Sequence, residues 1–144
     1  MSLAHEPVDY ALTVPSDPQA LTVVRAMVEA VCMLAGYDKH VCYEVVVAVH
    51  EACSNVIRHA HCGKLELPIS LECRVSMAGI EFRLRDEGPP FDFAGVPDLD
   101  PAEIRRGGRG VFLIRRLLDD VSCQPRPEGG NELRMFKRAR RPSE

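Results

Sequence analysis

The sequence predicts an α+β fold, an α/β two-layer sandwich in which helices cover one face of a mixed, largely antiparallel sheet. Segments in which apolar and polar residues alternate follow one another in pairs, as in β-hairpins. Two longer segments with apolar residues three and four positions apart lie between the first and second predicted strands. The regular strand–helix–strand alternation of a doubly wound parallel sheet is missing, so that fold class is not favoured.

The first predicted elements are a strand and a helix. Residues 8–14 alternate in polarity, and Pro15 closes this strand. Ser16 or Asp17 then offers an N-cap for a helix that runs to about Ala35. The apolar positions predicted to face the core from this helix are Leu21, Val24, Met27, Val28, Val31 and Leu34.

The remainder of the chain is predicted to continue the same two-layer pattern. The further elements are a helix from the N-cap Asp38 to about Ala60, strands over 67–75 and 80–85, a helix from about 110, and strands over 121–124 and 133–137. A segment without periodicity, at about 87–107, precedes the third helix and reads as a lid, because loops of this length in a compact domain are usually functional or disordered. We expect a single domain over 1–144, with an ordered core at about 8–138.

Composition excludes several classes of function. The chain has 144 residues and a formal net charge of −3, so it has no overall basic character, which argues against nucleic acid as its main partner. Its six cysteines form no C-x-x-C pair and no zinc-like spacing, which indicates reduced thiols in a cytoplasmic protein. We find no signal peptide and no apolar run of membrane-spanning length, and therefore expect no membrane partner.

The second predicted helix carries a polar stripe. Glu51, Asn55 and His59 recur at intervals of four residues, so they lie on one helix face beside apolar positions. Asn55 offers an oxygen ligand of the kind that suits Mg²⁺, and Glu51 is placed to polarise a hydroxyl or a water. An ordinary polar seam is the alternative for the Glu51–Asn55 pair. His59 is interpreted as a structural residue at the helix end.

Two glycine-containing motifs follow. Gly107-Gly108-Arg109-Gly110 opens the third helix, where free N–H groups and the positive helix end suit a phosphate. It lacks the Gly-Lys-Ser/Thr of a Walker A motif and does not follow a strand, and it could instead be a plain connecting turn. Asp86-Glu87-Gly88 ends a strand, and such an Asp-X-Gly sequence is most often only a turn.

Together these motifs resemble a known family. The E-A-x-x-N-x-x-x-H-A stretch, the D-x-G strand end and the G-G-x-G-x-x-L-I-x-x-L-x-D-x-V stretch are similar to the nucleotide boxes of the GHKL ATPase/kinase superfamily. Within it, D-E-G-x-x-F-D and L-I-x-x-L-x-D-x-V resemble the anti-sigma-factor serine kinases of bacterial partner-switching systems. The resemblance covers about residues 10–138 and implies a Bergerat-type ATP-binding fold with a lid loop.

The resemblance also implies roles for individual residues. Glu51 would activate the acceptor hydroxyl, and Asn55 would ligate Mg²⁺ between the ATP phosphates. Asp86 would accept a hydrogen bond from the adenine amino group, with Gly88 letting the chain turn under the base. The residues implied near the phosphates are Gly107, Gly108, Arg109 and Gly110, with Arg106 a catalytic residue near the γ-phosphate.

Two positions depart from the superfamily pattern. Pro90 occupies the second glycine position of D-x-G-x-G, where a fixed φ and a missing N–H are expected to stiffen the loop. Gly130-Asn131 stands where many relatives have Gly-Thr, and Asn131 is expected to bind a water on the adenine side.

The resulting hypothesis is an ATP- and Mg²⁺-dependent protein serine/threonine kinase that also binds a sigma factor. Its substrate would be a STAS-type anti-sigma-factor antagonist, and a homodimer is expected by family analogy. The alternative is a nucleotide-gated module that binds its partner with little or no phosphate transfer. The ATPase domain of a sensor histidine kinase is disfavoured, because 144 residues leave no room for a dimerisation helix pair with its acceptor histidine.

Overall fold

The computed structural model describes residues 6–97 and 109–139, which form a five-stranded sheet in the order β1-β2-β3-β5-β4 with helices on one face. The elements are β1 (Val8–Pro15), α1 (Leu21–Leu34), α2 (Lys39–Asn55), β2 (Pro68–Ser76), β3 (Gly79–Arg85), α3 (Arg109–Leu117), β4 (Asp120–Pro125) and β5 (Asn131–Arg138). Every strand pair among the described residues is antiparallel. The predicted fold class is confirmed. The sheet was predicted to be mixed and largely antiparallel, and in this part of the chain it is antiparallel throughout.

The helix boundaries follow from local capping. Asp17 Oδ1 accepts a hydrogen bond from the Gln19 amide at 2.9 Å and starts a short 3₁₀ turn that leads into α1. Asp38 caps α2 in the same way through the Val41 amide, also at 2.9 Å. At its C-terminal end α2 passes into a π-helical turn, Val56–Ala60, which matters for the site described below.

The core lies between the helices and one face of the sheet. Alternation in the two central strands buries one set of side chains almost completely: Ile69, Leu71, Cys73, Ile80, Phe82 and Leu84. The other face carries interleaved charges, with Glu81 between Arg83 and Arg134 and with Arg85 bound to Glu132. This pattern leaves the uncovered face of the sheet solvated.

One core prediction is wrong. Leu34 was expected on the buried stripe of α1, but it is 72% exposed, while Cys32 is fully buried. At about 100° per residue, Leu34 falls roughly 100° away from the centre of the stripe that Val24 and Val28 define, and it is the last residue of the helix. Among residues 6–97 and 109–139, no helix combines the length and the apolar character that a membrane crossing requires.

Candidate functional site

A cavity of about 300 Å³ opens between the end of α2, the helix α3 and the ends of the central strands. Its walls are largely apolar, with Val56, Leu84, Phe93, Ile114 and Leu133. The polar groups that reach it are those of Asn55, His59, Asp86 and Asn131. An apolar cleft with a few convergent polar groups is typical of a small-molecule site. A second cavity, of about 380 Å³, borders β4 and contains none of the predicted site residues.

Asp86 is the buried acid of this cavity. It follows β3 directly, and its side chain is only 7% exposed. Its Oδ1 atom accepts three hydrogen bonds, from the Gly88 amide at 2.8 Å, the Asn131 amide at 3.2 Å and Asn131 Nδ2 at 3.1 Å. Its Oδ2 atom has no hydrogen-bond partner among the described residues. Because no unpaired side-chain N or O atom in this part of the chain is fully buried, Oδ2 is at least partly accessible. One carboxylate oxygen is therefore fixed by the protein, and the other can accept a hydrogen bond from a ligand in the cavity.

Asn131, the first residue of β5, holds the loop that follows Asp86. Its Nδ2 donates to the carbonyl of Pro89 at 2.8 Å, and its Oδ1 accepts from the Phe91 amide at 3.0 Å. With 3% exposure, Asn131 uses both Nδ2 protons within the protein. Its side chain thus positions Asp86 and residues 89–91, and the predicted water-mediated contact to adenine stays a prediction.

Gly88 permits a close approach between this loop and the end of the α2 segment. A Cβ atom at Gly88 would lie 2.5 Å from the Cβ atom of Ala60 and 3.0 Å from its carbonyl oxygen. Such distances are too short for any side chain. The residue predicted to let the chain turn beneath the ligand is therefore packed against the π-helical turn.

Asn55 and Gly110 meet at the other end of the cavity. Gly110 lies in the first turn of α3, and a Cβ atom there would be 2.9 Å from Asn55 Nδ2 and 3.1 Å from Asn55 Oδ1. The contact places the amide oxygen of Asn55 next to a helix N-terminus, whose free N–H groups favour anions. Arg58 Nη2 also donates to Asn55 Oδ1, at 3.3 Å. Two of the predicted ligand residues, 55 positions apart in sequence, are thus brought together.

Glu51 lies one turn before Asn55 on α2 and is not among the residues that line the cavity. The helix rise places it about 6 Å further along the axis. Its carboxylate has no hydrogen bond or ion pair within the described residues. His59, which is predicted to be a structural residue at the helix end, lines the cavity and is exposed.

Part of the predicted site lies outside the described residues. These positions are Arg106, Gly107 and Gly108, together with the remainder of the predicted lid from residue 98 onwards. Arg109 is the first residue of α3. The beginning of the lid is described: Phe93 is 5% exposed, and its carbonyl accepts from Arg115 Nη2 at 2.8 Å. The Arg115 guanidinium also lies 5.0 Å from the Phe93 ring centroid, which anchors this end of the lid to α3.

Two residues near the site have no role in the sequence prediction. Arg126 Nη1 donates to the carbonyl of Asp86 at 2.9 Å and to Glu87 Oε2 at 3.2 Å. His61 is 1% exposed and accepts a hydrogen bond from the Glu87 amide at 2.9 Å. Neither belongs to a periodic pattern, because Arg126 follows the end of β4 and His61 follows the π-helical turn. The available signal for His61 was a second histidine two positions after His59, at the end of an apolar helix.

Comparison with known proteins gives three findings. A family model described as histidine kinase-like ATPase domain matches residues 14–137. The serine-protein kinase RsbW of Listeria monocytogenes is 30% identical over 129 residues, which cover 84% of this chain and 81% of the relative. The RsbW kinase of Bacillus velezensis is 29% identical over 126 residues, which cover 81% of this chain and 79% of the relative.

A solved structure supports the fold. It contains the RsbU and RsbW domains of a Mycobacterium tuberculosis protein and superposes with a TM-score of 0.67 at 15% identity. The match covers 94% of this chain and 33% of that longer chain. At this level of identity the likeness concerns the fold, and it agrees with the antiparallel sheet and one-sided helices described above.

Proposed function

The chain belongs to the histidine kinase-like ATPase domain family, and we propose that it is an ATP-dependent protein serine/threonine kinase that acts as an anti-sigma factor. Its substrate in this proposal is a STAS-type anti-sigma-factor antagonist. The predicted resemblance to RsbW-type kinases is confirmed by relatives that carry that name along most of the chain. ATP use follows from the family, whereas the individual residue roles below are proposals.

The observation that carries the proposal is the Asp86 carboxylate, in which Oδ1 is bound within the protein and Oδ2 is not. Three donors fix Oδ1, so Oδ2 is held in one direction at the edge of an apolar cavity. An adenine ring offers an exocyclic amino group as a donor and an apolar surface for the remainder of its contacts. Val56, Leu84 and Ile114 supply matching apolar walls. A charge-assisted hydrogen bond in such a site gives both affinity and selectivity for adenine.

The phosphates are proposed to extend towards Asn55 and the first turn of α3. Because Gly110 has no side chain, the amide of Asn55 packs directly against the first turn of this nine-residue helix, whose N-terminal end favours an anion. Gly107, Gly108 and Arg109 precede or open this helix and are proposed to complete the phosphate contacts.

Mg²⁺ is proposed as the cofactor, and the donor set fits it. The described residues contain no group of three His, Cys, Asp or Glu side chains able to hold a metal on their own. A single amide oxygen, that of Asn55, suits Mg²⁺, which takes few protein ligands and several phosphate and water oxygens. When bound, the ion would neutralise phosphate charge and orient the phosphates.

Glu51 is proposed as the general base. The acceptor hydroxyl belongs to another protein, so its base need not line the cavity, and Glu51 does not line it. In the proposed step the hydroxyl oxygen forms a bond to the γ-phosphorus, the bond to the β–γ bridging oxygen breaks and ADP leaves. The Glu51 carboxylate takes the hydroxyl proton. Arg106 is proposed to stabilise the transferred charge.

The interactions of the whole protein complete the proposal. Phosphorylation adds about two negative charges to the antagonist surface, which would weaken its contact and free the kinase for a sigma factor.

A homodimer is proposed through α1 and β1. In support of it, β1 is an edge strand, and Val8 and Val23 are 48% and 50% exposed. A cytoplasmic location is also proposed, consistent with six free cysteines.

A phosphotransfer assay tests this function. Purified protein is incubated with Mg²⁺, γ-labelled ATP and a STAS-type antagonist from the same organism. We expect label on a serine or threonine of the antagonist, and loss of transfer but not of ADP binding in Glu51→Gln. ADP binding without transfer by the wild type would favour the partner-binding module. Failure to bind ADP would contradict both functions.

A further inference from the structure

His61 joins two parts of the fold that are distant in sequence. It follows the π-helical turn, and its side chain is 1% exposed. Its Nδ1 lies 2.9 Å from the hydroxyl of Ser16, at the end of β1, and its Nε2 accepts from the Glu87 amide at 2.9 Å. Both ring nitrogens are therefore paired, one towards β1 and the other towards the loop that begins at Asp86.

These contacts define the protonation state of the ring. A backbone N–H can only donate, so Nε2 must carry the lone pair, and the imidazole is neutral. Nδ1 then carries the proton and donates it to Ser16, which is fully buried. An imidazolium would present an N–H to the Glu87 amide and lose that hydrogen bond.

The surroundings of His61 favour the neutral ring. Burial lowers the pKa of His61, and the carboxylates of Asp86 and Glu87 offset part of this effect. Arg126 pairs with Glu87, and the residue paired with Nδ1, Ser16 directly after β1, is neutral. Protonation of His61 therefore becomes significant only below the ordinary histidine pKa of about 6.5.

The position of His61 links the ring to the proposed adenine acceptor. Glu87 is the neighbour of Asp86, and Gly88 packs directly against Ala60, the neighbour of His61. The His61 amide also closes the π-helical turn through the Val56 carbonyl at 2.8 Å. A π-helical turn shifts the helix register, and here it directs His61 into the protein rather than towards solvent.

We propose that His61 is a positioning residue that holds the 86–88 loop in its adenine-accepting arrangement, and that nucleotide affinity depends on its neutral imidazole. The inference rests on the proposed nucleotide site. It assigns His61 no contact with substrate, so it concerns affinity rather than the transfer step. The expected signature is a loss of affinity with little change in turnover at saturating ATP.

The test measures the Kd of ADP between about pH 5.5 and pH 8, around the ordinary histidine pKa. His61→Phe fills the space but accepts no hydrogen bond, and it should bind ADP about 5- to 100-fold more weakly at pH 8. His61→Gln offers an uncharged acceptor, and it should restore most of the affinity and remove the part of the acid-side weakening that is specific to the wild type. His40→Gln, on an exposed histidine with 79% side-chain exposure, should keep the wild-type profile.

The possible results distinguish failure of the proposed function from failure of the positioning role of His61. Absence of ADP binding by the wild type at pH 8 would overturn the proposed function itself. Wild-type binding with unchanged affinity in folded His61→Phe would overturn the positioning role alone. Where His61→Phe does not fold, the comparison of wild type with His61→Gln decides, since identical pH profiles for these two proteins would contradict the dependence on the neutral ring.

Discussion

Replacement of Asp86 by asparagine tests the adenine contact with the smallest possible change. Asparagine has nearly the same shape, and its Oδ1 can still accept from the Gly88 amide and from both donors of Asn131. The amide nitrogen then replaces Oδ2 at the cavity. A donor thus faces the adenine amino group, which is itself a donor, and the hydrogen bond is lost.

The expected magnitude follows from the kind of bond removed. A hydrogen bond to a charged group contributes about 1.5–3 kcal/mol. Because 1.4 kcal/mol corresponds to a factor of ten, ADP should bind Asp86→Asn about 10- to 150-fold more weakly. The fold should be kept, since the three internal contacts of Oδ1 remain, and the melting temperature should change by less than about 5 °C. Guanine offers a carbonyl where adenine has its amino group, so GDP affinity should not fall in parallel.

Isothermal titration with ADP and GDP measures both affinities, and a thermal melt without nucleotide checks the fold. Asp9→Asn is the matched control, because Asp9 is an exposed aspartate on edge strand β1 whose partner is Arg74. Its ADP affinity should equal that of the wild type. A folded Asp86→Asn protein that binds ADP within about threefold of the wild type would refute the role of the carboxylate, because the loss of a charged hydrogen bond exceeds that factor.

Further predictions concern packing, chemistry, thiols and pH. Gly88→Ala should lower the free energy of unfolding by about 1–3 kcal/mol in urea titration, because its methyl group would overlap Ala60. Glu51→Gln should lower turnover about 10²- to 10⁴-fold in the phosphotransfer assay with unchanged ADP affinity. In mass-spectrometric alkylation, exposed Cys62 should react first, whereas burial raises the pKa of Cys53 to about 12 and should delay its reaction until unfolding. The free energy of unfolding should be constant between about pH 7 and pH 8 and fall as the pH drops through about 6.5, because the unfolded chain protonates His61 and His50 more readily than the folded one.

Much of the fold could be predicted from periodicity and capping. The alternation in the central hairpin identified the buried face of β2 and β3, and Asp17 and Asp38 mark the starts of their helices as expected. Ser16 was the other candidate cap, and it instead binds His61, which follows α2. The choice between two adjacent capping residues depends on a partner 45 positions away, which no local pattern contains.

The site could be predicted only in part, for a similar reason. Motifs at element boundaries indicated Asp86 and Gly110, and the four-residue spacing of a polar helix stripe indicated Asn55. The sequence did not indicate that Glu51 lies off the cavity or that His61 points into the protein. The direction of His61 depends on the single π-helical turn Val56–Ala60, and the sequence pattern predicted a continuous α-helix there.

The two departures from the superfamily pattern can be explained together, because Asn131 binds the residues on either side of Pro90. Pro90 lacks the N–H and the freedom of the glycine found in relatives. The loop needs neither, because Asn131 binds the carbonyl before Pro90 and the amide after it, at 2.8 Å and 3.0 Å. A threonine, with one hydroxyl, could not hold these two groups and Asp86 Oδ1 at once, since that requires two donors and an acceptor with the reach of an amide. Asn131 therefore holds both Asp86 and the residues on either side of Pro90, and the stiffness expected of Pro90 stays a prediction.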